Sequence, residues 1–244
     1  MSKINIVGIG PGNKKDMTIR AYEALKDSDV IVGYTTYIEL IRDEFSDKVF
    51  LSTPMKREVE RCRLCFETAL SGEKVSMICS GDAGIYGMAG LMYELLPEYK
   101  GVSLNVIPGV TAASSGGAIL GSPIGHDFAV ISLSDLLTPI ELIKKRIVKA
   151  AEADLAIVLY NPSSKKRSDY LKKTCELLMD VISPDTPTGY VMNIGREGES
   201  FEVCTLKELS EKQVDMFTTV FIGNSNTEII EGRLVTKRGY NTEK

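Results

Sequence analysis

Apolar residues come in short β-branched runs at 4–7, 30–32, 49–51, 74–79 and 103–107, and a segment with helical spacing separates each from the next. The helical segments fall at about 17–26, 36–45, 59–70 and 85–96. Runs this continuously apolar are covered on both faces, so the alternation predicts a largely parallel sheet with helices on either side. A second series follows: strands at 128–133, 155–160, 188–193, 200–205 and 219–222, helices at 139–151 and about 168–181, and a short helix before the last strand. Gly121-Ser122-Pro123-Ile124-Gly125 interrupts the pattern between the two series and is the expected boundary. The predicted fold class is therefore α/β, with two lobes (1–121 and 122–244), mostly parallel or mixed sheets, and a ligand cleft between them.

Composition narrows this picture only slightly. At 244 residues, 43% hydrophobic and 25% charged, the chain can bury a real core. A net charge of −4 disfavours general nucleic-acid affinity but allows an anionic small ligand on a local basic loop. No apolar run is long enough to span a bilayer and no signal-peptide core is visible, so no membrane association and a cytoplasmic location are expected. The five cysteines are an odd number and read as reduced thiols. Cys62-Arg-Leu-Cys65 has metal-like spacing, but it lies in a helical run without a second pair, so no metal site is expected.

Ligands of α/β sheets gather beyond the carboxyl ends of strands, which makes the strand exits the places to inspect. The first strand runs into Gly8-Ile9-Gly10-Pro11-Gly12. This spacing is not G-x-G-x-x-G, Pro11 removes a donor that a pyrophosphate would use, and no acid follows the strand ending at Val32. A dinucleotide is thus disfavoured. The strand ending at Cys79 exits through Ser80-Gly81-Asp82-Ala83-Gly84-Ile85-Tyr86-Gly87, where backbone groups and one carboxylate are expected to face a ligand, unless Asp82 merely caps the next helix. Pro108-Gly109-Val110-Thr111-Ala112 leads into a run of small residues in which Thr111 is a candidate helix cap. Two further exits carry cations: Asn161 with Lys165, Lys166 and Arg167, and the glycine-bearing turn at 193–199 with Arg196. The 165–167 run is either a solvated surface or a carboxylate-binding loop.

His126, in Gly125-His126-Asp127, is the only histidine and the first candidate for a general base. No G-x-S-x-G elbow, phosphate-binding G-x-x-x-x-G-K-[ST] loop or H-E-x-x-H pair is present. The residues by themselves reach a two-lobed α/β enzyme with a glycine-lined cleft for a small ligand.

The exits at 7–12, 80–87 and 108–112, in this order and spacing, resemble the tetrapyrrole (corrin/porphyrin) methylase family over essentially the whole chain. Within it, the segments 125–139 and 159–164 are similar to the precorrin-3B C17-methyltransferases of cobalamin synthesis. The resemblance implies a homodimer that binds S-adenosylmethionine between its lobes and releases S-adenosylhomocysteine. The first lobe would supply the glycine-rich loops and the substrate trough, and the second would complete the cofactor site. Cofactor contacts are implied at Pro11, Gly81, Asp82, Ile85, Thr111 and Ala112, and at Asn161, Ile194 and Thr218. Gly10 and Gly12 would line the trough, and Lys165, Lys166, Arg167 and Arg196 would hold carboxylate arms of a tetrapyrrole. Ring contraction calls for proton transfers, for which His126, Asp127, Ser132, Ser134 and Asp135 are the candidates. Ala83 departs from the proline that many relatives carry there. Other methylases of this fold, acting at another corrin position, on diphthamide or on rRNA, and a non-catalytic corrinoid- or nucleotide-binding module are the competing readings.

Overall fold

The apolar runs of the first half pair into a single all-parallel sheet. β1 (Ser2–Gly8), β2 (Val30–Tyr34), β3 (Val49–Thr53), β4 (Val75–Cys79) and β5 (Val102–Ile107) lie in the order β3-β2-β4-β1-β5. The computed structural model describes residues 2–164 and 167–241. Between these strands run α1 (Ile19–Lys26), α2 (Thr35–Glu39), α3 (Glu58–Leu70) and α4 (Ala89–Leu95). Successive strand residues face opposite sides, and both sides are apolar. Ile4, Ile6, Val30, Val32, Val75 and Met77 pack on Cys62, Cys65 and Phe66 of α3 and Met92 of α4. Val7, Ile31 and Ile78 pack on Ala21 and Leu25 of α1 and Ile38 of α2. That is the two-sided covering expected of continuous apolar strands.

Helix boundaries follow local hydrogen bonds. Thr18 accepts from the Ala21 N–H and starts α1. The helix expected over 85–96 begins only at Ala89, because Asp82 takes the N–H groups of Gly84 and Ile85 into a turn and Tyr86 adopts a left-handed φ of 53°.

The second half forms another unit. It contains α5 (Ala112–Leu120), β6 (Gly121–Ser122), β7 (Phe128–Ser132), α6 (Ile140–Glu152), β8 (Ala156–Tyr160), α7 (Tyr170–Met179), β9 (Pro187–Met192), β10 (Ser200–Thr205), α8 (Leu206–Leu209), β11 (Thr218–Ile222), β12 (Thr227–Ile230) and β13 (Arg233–Thr236). Its main sheet, β10-β9-β11-β8-β7, is mixed: only β7 and β8 are parallel. A small sheet, β12-β13-β6, was not expected from the sequence. Its hairpin turns through Glu231 and Gly232, both at positive φ, and its strands, four residues each with polar and apolar side chains mixed, are too short to leave an apolar pattern.

The two compact units divide between Thr111 and Ala112, not after Gly121 as the sequence suggested. The physical reason is α5. Its Ala113 and Leu120 pack with Val158, Val191, Ile194 and Phe221 of the second sheet. A Cβ on Gly116 would fall 2.9 Å from Ile194 and 3.1 Å from Phe221, so only glycine lets the helix lie this close. The small residues at 112–118 are thus a packing surface for the second unit.

All five cysteines are buried and free. Burial raises the Cys62 and Cys175 thiols from 9.0 to about 12 and Cys79 to about 11. Folding therefore holds them protonated, which has no effect on stability below about pH 9. Above it, the unfolded chain loses protons that the folded chain keeps, at about 1.4 kcal/mol per thiol per pH unit. Iodoacetamide should leave the native protein unlabelled at about pH 8 and label it in urea. The thermal midpoint should fall steeply above about pH 9, and a flat profile to about pH 11 would contradict the buried thiols.

Candidate functional site

In a parallel sheet every carboxyl end emerges at one edge, so the three glycine-rich exits of the first unit are neighbours by construction. β1 and β4 are adjacent, yet the chain leaves β1 toward β2 and leaves β4 toward β5, in opposite directions across the sheet. This is the topological switch point at which α/β sheets hold ligands. Here the two exits are tied together. Gly10 N–H donates to Gly81 O (3.1 Å), Gly81 N–H donates to Gly10 O (2.7 Å), and Ile9 N–H donates to Cys79 O (2.9 Å). The exit of β5 joins through Asp82, whose Oδ2 accepts from Gly109 N–H (2.9 Å). Its Oδ1 accepts from Gly84 (2.7 Å) and Ile85 (3.0 Å).

The carboxylate expected to face a ligand is instead engaged by three backbone N–H groups. Asp82 therefore shapes the site by fixing the loops. The contact it braces is extremely close: a Cβ on Gly109 would sit 2.1 Å from Gly81 O, and one on Gly8 2.6 Å from Gly109 N. Around it Pro11 is buried, Gly12 and Thr111 are half-buried, and Ile85 and Tyr86 are exposed. Gly10, Pro11, Gly12, Gly81, Asp82, Ile85 and Thr111 thus share one edge.

The second unit has a comparable edge. β7, β8 and β9 end there, and β11 starts there. Asn161 Nδ2 donates to Ser132 Oγ (2.9 Å), linking the β7 and β8 exits. Tyr160 Oη accepts from Ala113 N–H (2.7 Å), which brings the start of α5, and so Ala112, to the same place. Ile194 follows β9, and Thr218 opens β11 opposite Met192. Asn161 and Asn193 both leave their strands at left-handed φ (53° and 51°), conformations that Asn tolerates better than other side chains. The predicted residues Ala112, Ser132, Asn161, Ile194 and Thr218 are therefore gathered.

The five proton-transfer candidates are not. His126 and Asp127 precede β7, whereas Ser132, Ser134 and Asp135 lie at its far end. An extended strand of five residues separates the groups by about 16 Å. His126 and Asp127 are exposed, at 46% and 84% of their side chains, and His126 Nδ1 accepts from Asp127 N–H. Asp135 is held internally: Tyr170 Oη donates to Oδ2 (2.6 Å) and Arg167 Nη1 lies 3.5 Å from Oδ1. That phenol is raised above its ordinary pKa chiefly by this bond to Asp135. Arg167, expected as a carboxylate clamp, is turned inward with only 15% of its side chain exposed, and Nε donates to Ser164 Oγ (3.1 Å). Arg196 lies over the Phe217 ring at 5.1 Å. Lys165 and Lys166 lie outside the described residues.

Sequence reasoning missed Tyr160, Tyr170 and Arg61. The tyrosines fall within apolar patterns, and Arg61 within a helical run in which the Cys62/Cys65 spacing is the more visible signal.

Glycine-tied strand exits at a switch point, without a dinucleotide fingerprint or a nucleophile elbow, define an α/β protein built to bind and position a small molecule. The sequence model for tetrapyrrole (corrin/porphyrin) methylases matches residues 3–210, and the chain belongs to that family. It is 45% identical to a probable cobalt-factor III C(17)-methyltransferase of Salmonella typhimurium over 238 residues, 97% of this chain and 99% of that protein. It is 37% identical to a precorrin-3B C(17)-methyltransferase of Sinorhizobium sp, covering 93% of this chain and 90% of that one. The crystal structure of the methyltransferase CobJ superposes with a TM-score of 0.89 at 31% identity, over 97% of this chain and all of that one.

Replacing Asp82 with Asn keeps acceptors for Gly84 and Ile85 but turns an NH2 group toward the Gly109 N–H. Loss of that charged bond should lower unfolding free energy in urea by about 1.5–3 kcal/mol. An Asp82→Asn chain as stable as the parent would show that the carboxylate does not brace the loops.

Proposed function

We propose that this protein transfers a methyl group from S-adenosylmethionine to C17 of a cobalt-loaded tetrapyrrole of the cobalt-factor III type, with ring contraction, in cobalamin biosynthesis. The near full-length similarity to the Salmonella protein carries this reading. The relatives at 40–45% identity include four named for cobalt-factor III, while the precorrin-3B relative stands at 37%.

The donor set of the first unit suits such a cofactor. Residues 8–12, 80–87 and 108–111 include no Lys or Arg and one carboxylate. A polyphosphate would find no cation there, whereas a sulfonium next to apolar Ile85 and Tyr86 meets no repulsion. When bound, S-adenosylmethionine supplies an electrophilic methyl group on a positively charged sulfur. The chain's own task is to hold an electron-rich carbon in line with it and to exclude water, which needs no protein nucleophile.

In the first unit, Pro11, Gly81, Ile85 and Thr111 are proposed to contact the cofactor through backbone and apolar surface, and Asp82 to fix them. Gly10 and Gly12 would adjoin the macrocycle. In the second unit, Ala112, Asn161, Ile194 and Thr218 are the proposed contacts, with Arg196 available to a substrate carboxylate. Ser132, Ser134 and Asp135, held beside Arg167 and Tyr170, form a fixed polar group suited to proton transfers. His126 and Asp127 would act apart from it. We further propose a cytoplasmic homodimer; among the described residues no helix is long and apolar enough to cross a membrane.

Incubation with labelled adenosylmethionine and either cobalt-loaded or metal-free trimethylated substrate should give a product heavier by one methyl group from the cobalt form, read by mass spectrometry. Faster turnover of the metal-free form would reverse the substrate assignment. Absence of transfer to both would leave a binding module.

A further inference from the structure

Arg61 is the most anomalous side chain of the first unit. It lies in α3, is only 4% exposed, and has no carboxylate within ion-pair range among the described residues. Nη2 donates to the carbonyls of Pro54 (3.2 Å) and Thr53 (3.5 Å), and Nη1 points at the Met88 thioether, 3.9 Å away. Nε has no acceptor, and neither does the buried hydroxyl of Thr53. The guanidinium stands 5.8 Å from the centre of the Tyr34 ring.

A guanidinium stays charged at any ordinary pH, and burying it without a counter-ion carries a large desolvation cost. Two carbonyls and a thioether compensate weakly. A cation without a counter-ion, held on the carbonyl of a residue whose own hydroxyl lacks a partner, suits a carboxylate, which offers two oxygens to the guanidinium fork and can accept from a hydroxyl as well.

The position has a direction. Tyr34 and Thr53 end β2 and β3, and Met88 N–H donates to the sulfur of Cys79, which ends β4. Arg61 therefore lies on the same sheet edge as Gly81 and Asp82, two strands further along. Met88 is half-buried and unbranched, so its side chain can turn away while the backbone stays in place.

We propose that Arg61, with the Thr53 hydroxyl, anchors a peripheral carboxylate of the macrocyclic substrate, the Met88 side chain swinging aside to admit it. This rests on the tetrapyrrole reading above. It adds a charged anchor in the first unit, where the sequence pointed to cations only in the second. The competing role is purely structural, with Arg61 bracing the Thr53-Pro54 turn.

The test titrates the full chain with the cobalt-loaded tetrapyrrole and with its peripheral methyl ester, followed by absorbance, with adenosylmethionine binding measured in parallel. Arg61→Gln should weaken the acid form roughly tenfold or more, leave the ester and adenosylmethionine unchanged, and be partly rescued by Arg61→Lys. Acid binding equal to the parent, or equal losses for acid and ester, would overturn the anchor alone. A parent chain that binds neither macrocycle would overturn the functional reading and the anchor with it. Should Arg61→Gln not fold, Met88→Glu places a carboxylate within reach of Nη1. It should raise the melting temperature and weaken the acid form similarly, and unchanged acid binding in that variant would overturn the anchor.

Discussion

Three glycines meet backbone to backbone where β1, β4 and β5 leave the first sheet, and the site of that unit depends on the contact. Gly8, Gly81 and Gly109 approach so closely that a single Cβ on Gly109 would lie 2.1 Å from a carbonyl oxygen. No side chain fits between the strand exits, so the loops are obliged to hydrogen-bond to one another, and they do through the Gly10–Gly81 pair. Asp82 then accepts from the N–H groups of Gly84, Ile85 and Gly109 and sets the direction in which each loop leaves. What faces outward is backbone and the side chains of Ile85 and Tyr86. A site formed this way is rigid and low in charge, which suits positioning a reactive cationic donor better than acid–base work.

The second unit divides its polar groups differently. Its mixed sheet collects Ser132, Asn161, Ile194 and Thr218 at one edge, and next to them Asp135, Arg167 and Tyr170 form a network in which every charge has a partner. Such a network holds its members in place and keeps the phenol protonated. Arg61 in the first unit is the opposite case, a buried cation without a charged partner among the described residues. Uncompensated charge beside the few buried groups that lack a partner, Arg61 Nε and the Thr53 hydroxyl, marks the place where something from outside completes the set.

Much of this was legible beforehand. Continuous apolar runs such as Val30-Ile31-Val32 pack on both faces, and their alternation with helices reports a parallel sheet directly. The glycine-rich exits carried the family resemblance, and they do lie side by side. The hairpin at 227–236 was not legible, because strands of four residues, in which only Thr227, Leu234 and Thr236 are buried, are too short to display a period. The unit boundary was misplaced for a related reason: the small residues of α5 show that something packs closely on the helix, not which sheet does. His126 stands out in the sequence for its intrinsic pKa and its place next to the expected boundary, properties indifferent to the strand that separates it from Ser132.

The sequence by itself determined most of the elements, the parallel pairing of the first sheet, the family and the three loops that matter, because these depend on local periodicity and on residues that only a tight backbone turn requires. Tertiary structure alone decided what each polar side chain does. It assigned Asp82 to the backbone, turned Arg167 inward to Asp135, parted His126 and Asp127 from the other three candidates, and left Arg61 buried with no counter-charge among the described residues. A charged residue reads the same in a sequence whether it meets water, a carboxylate or nothing. Only the packing of distant segments around it settles which.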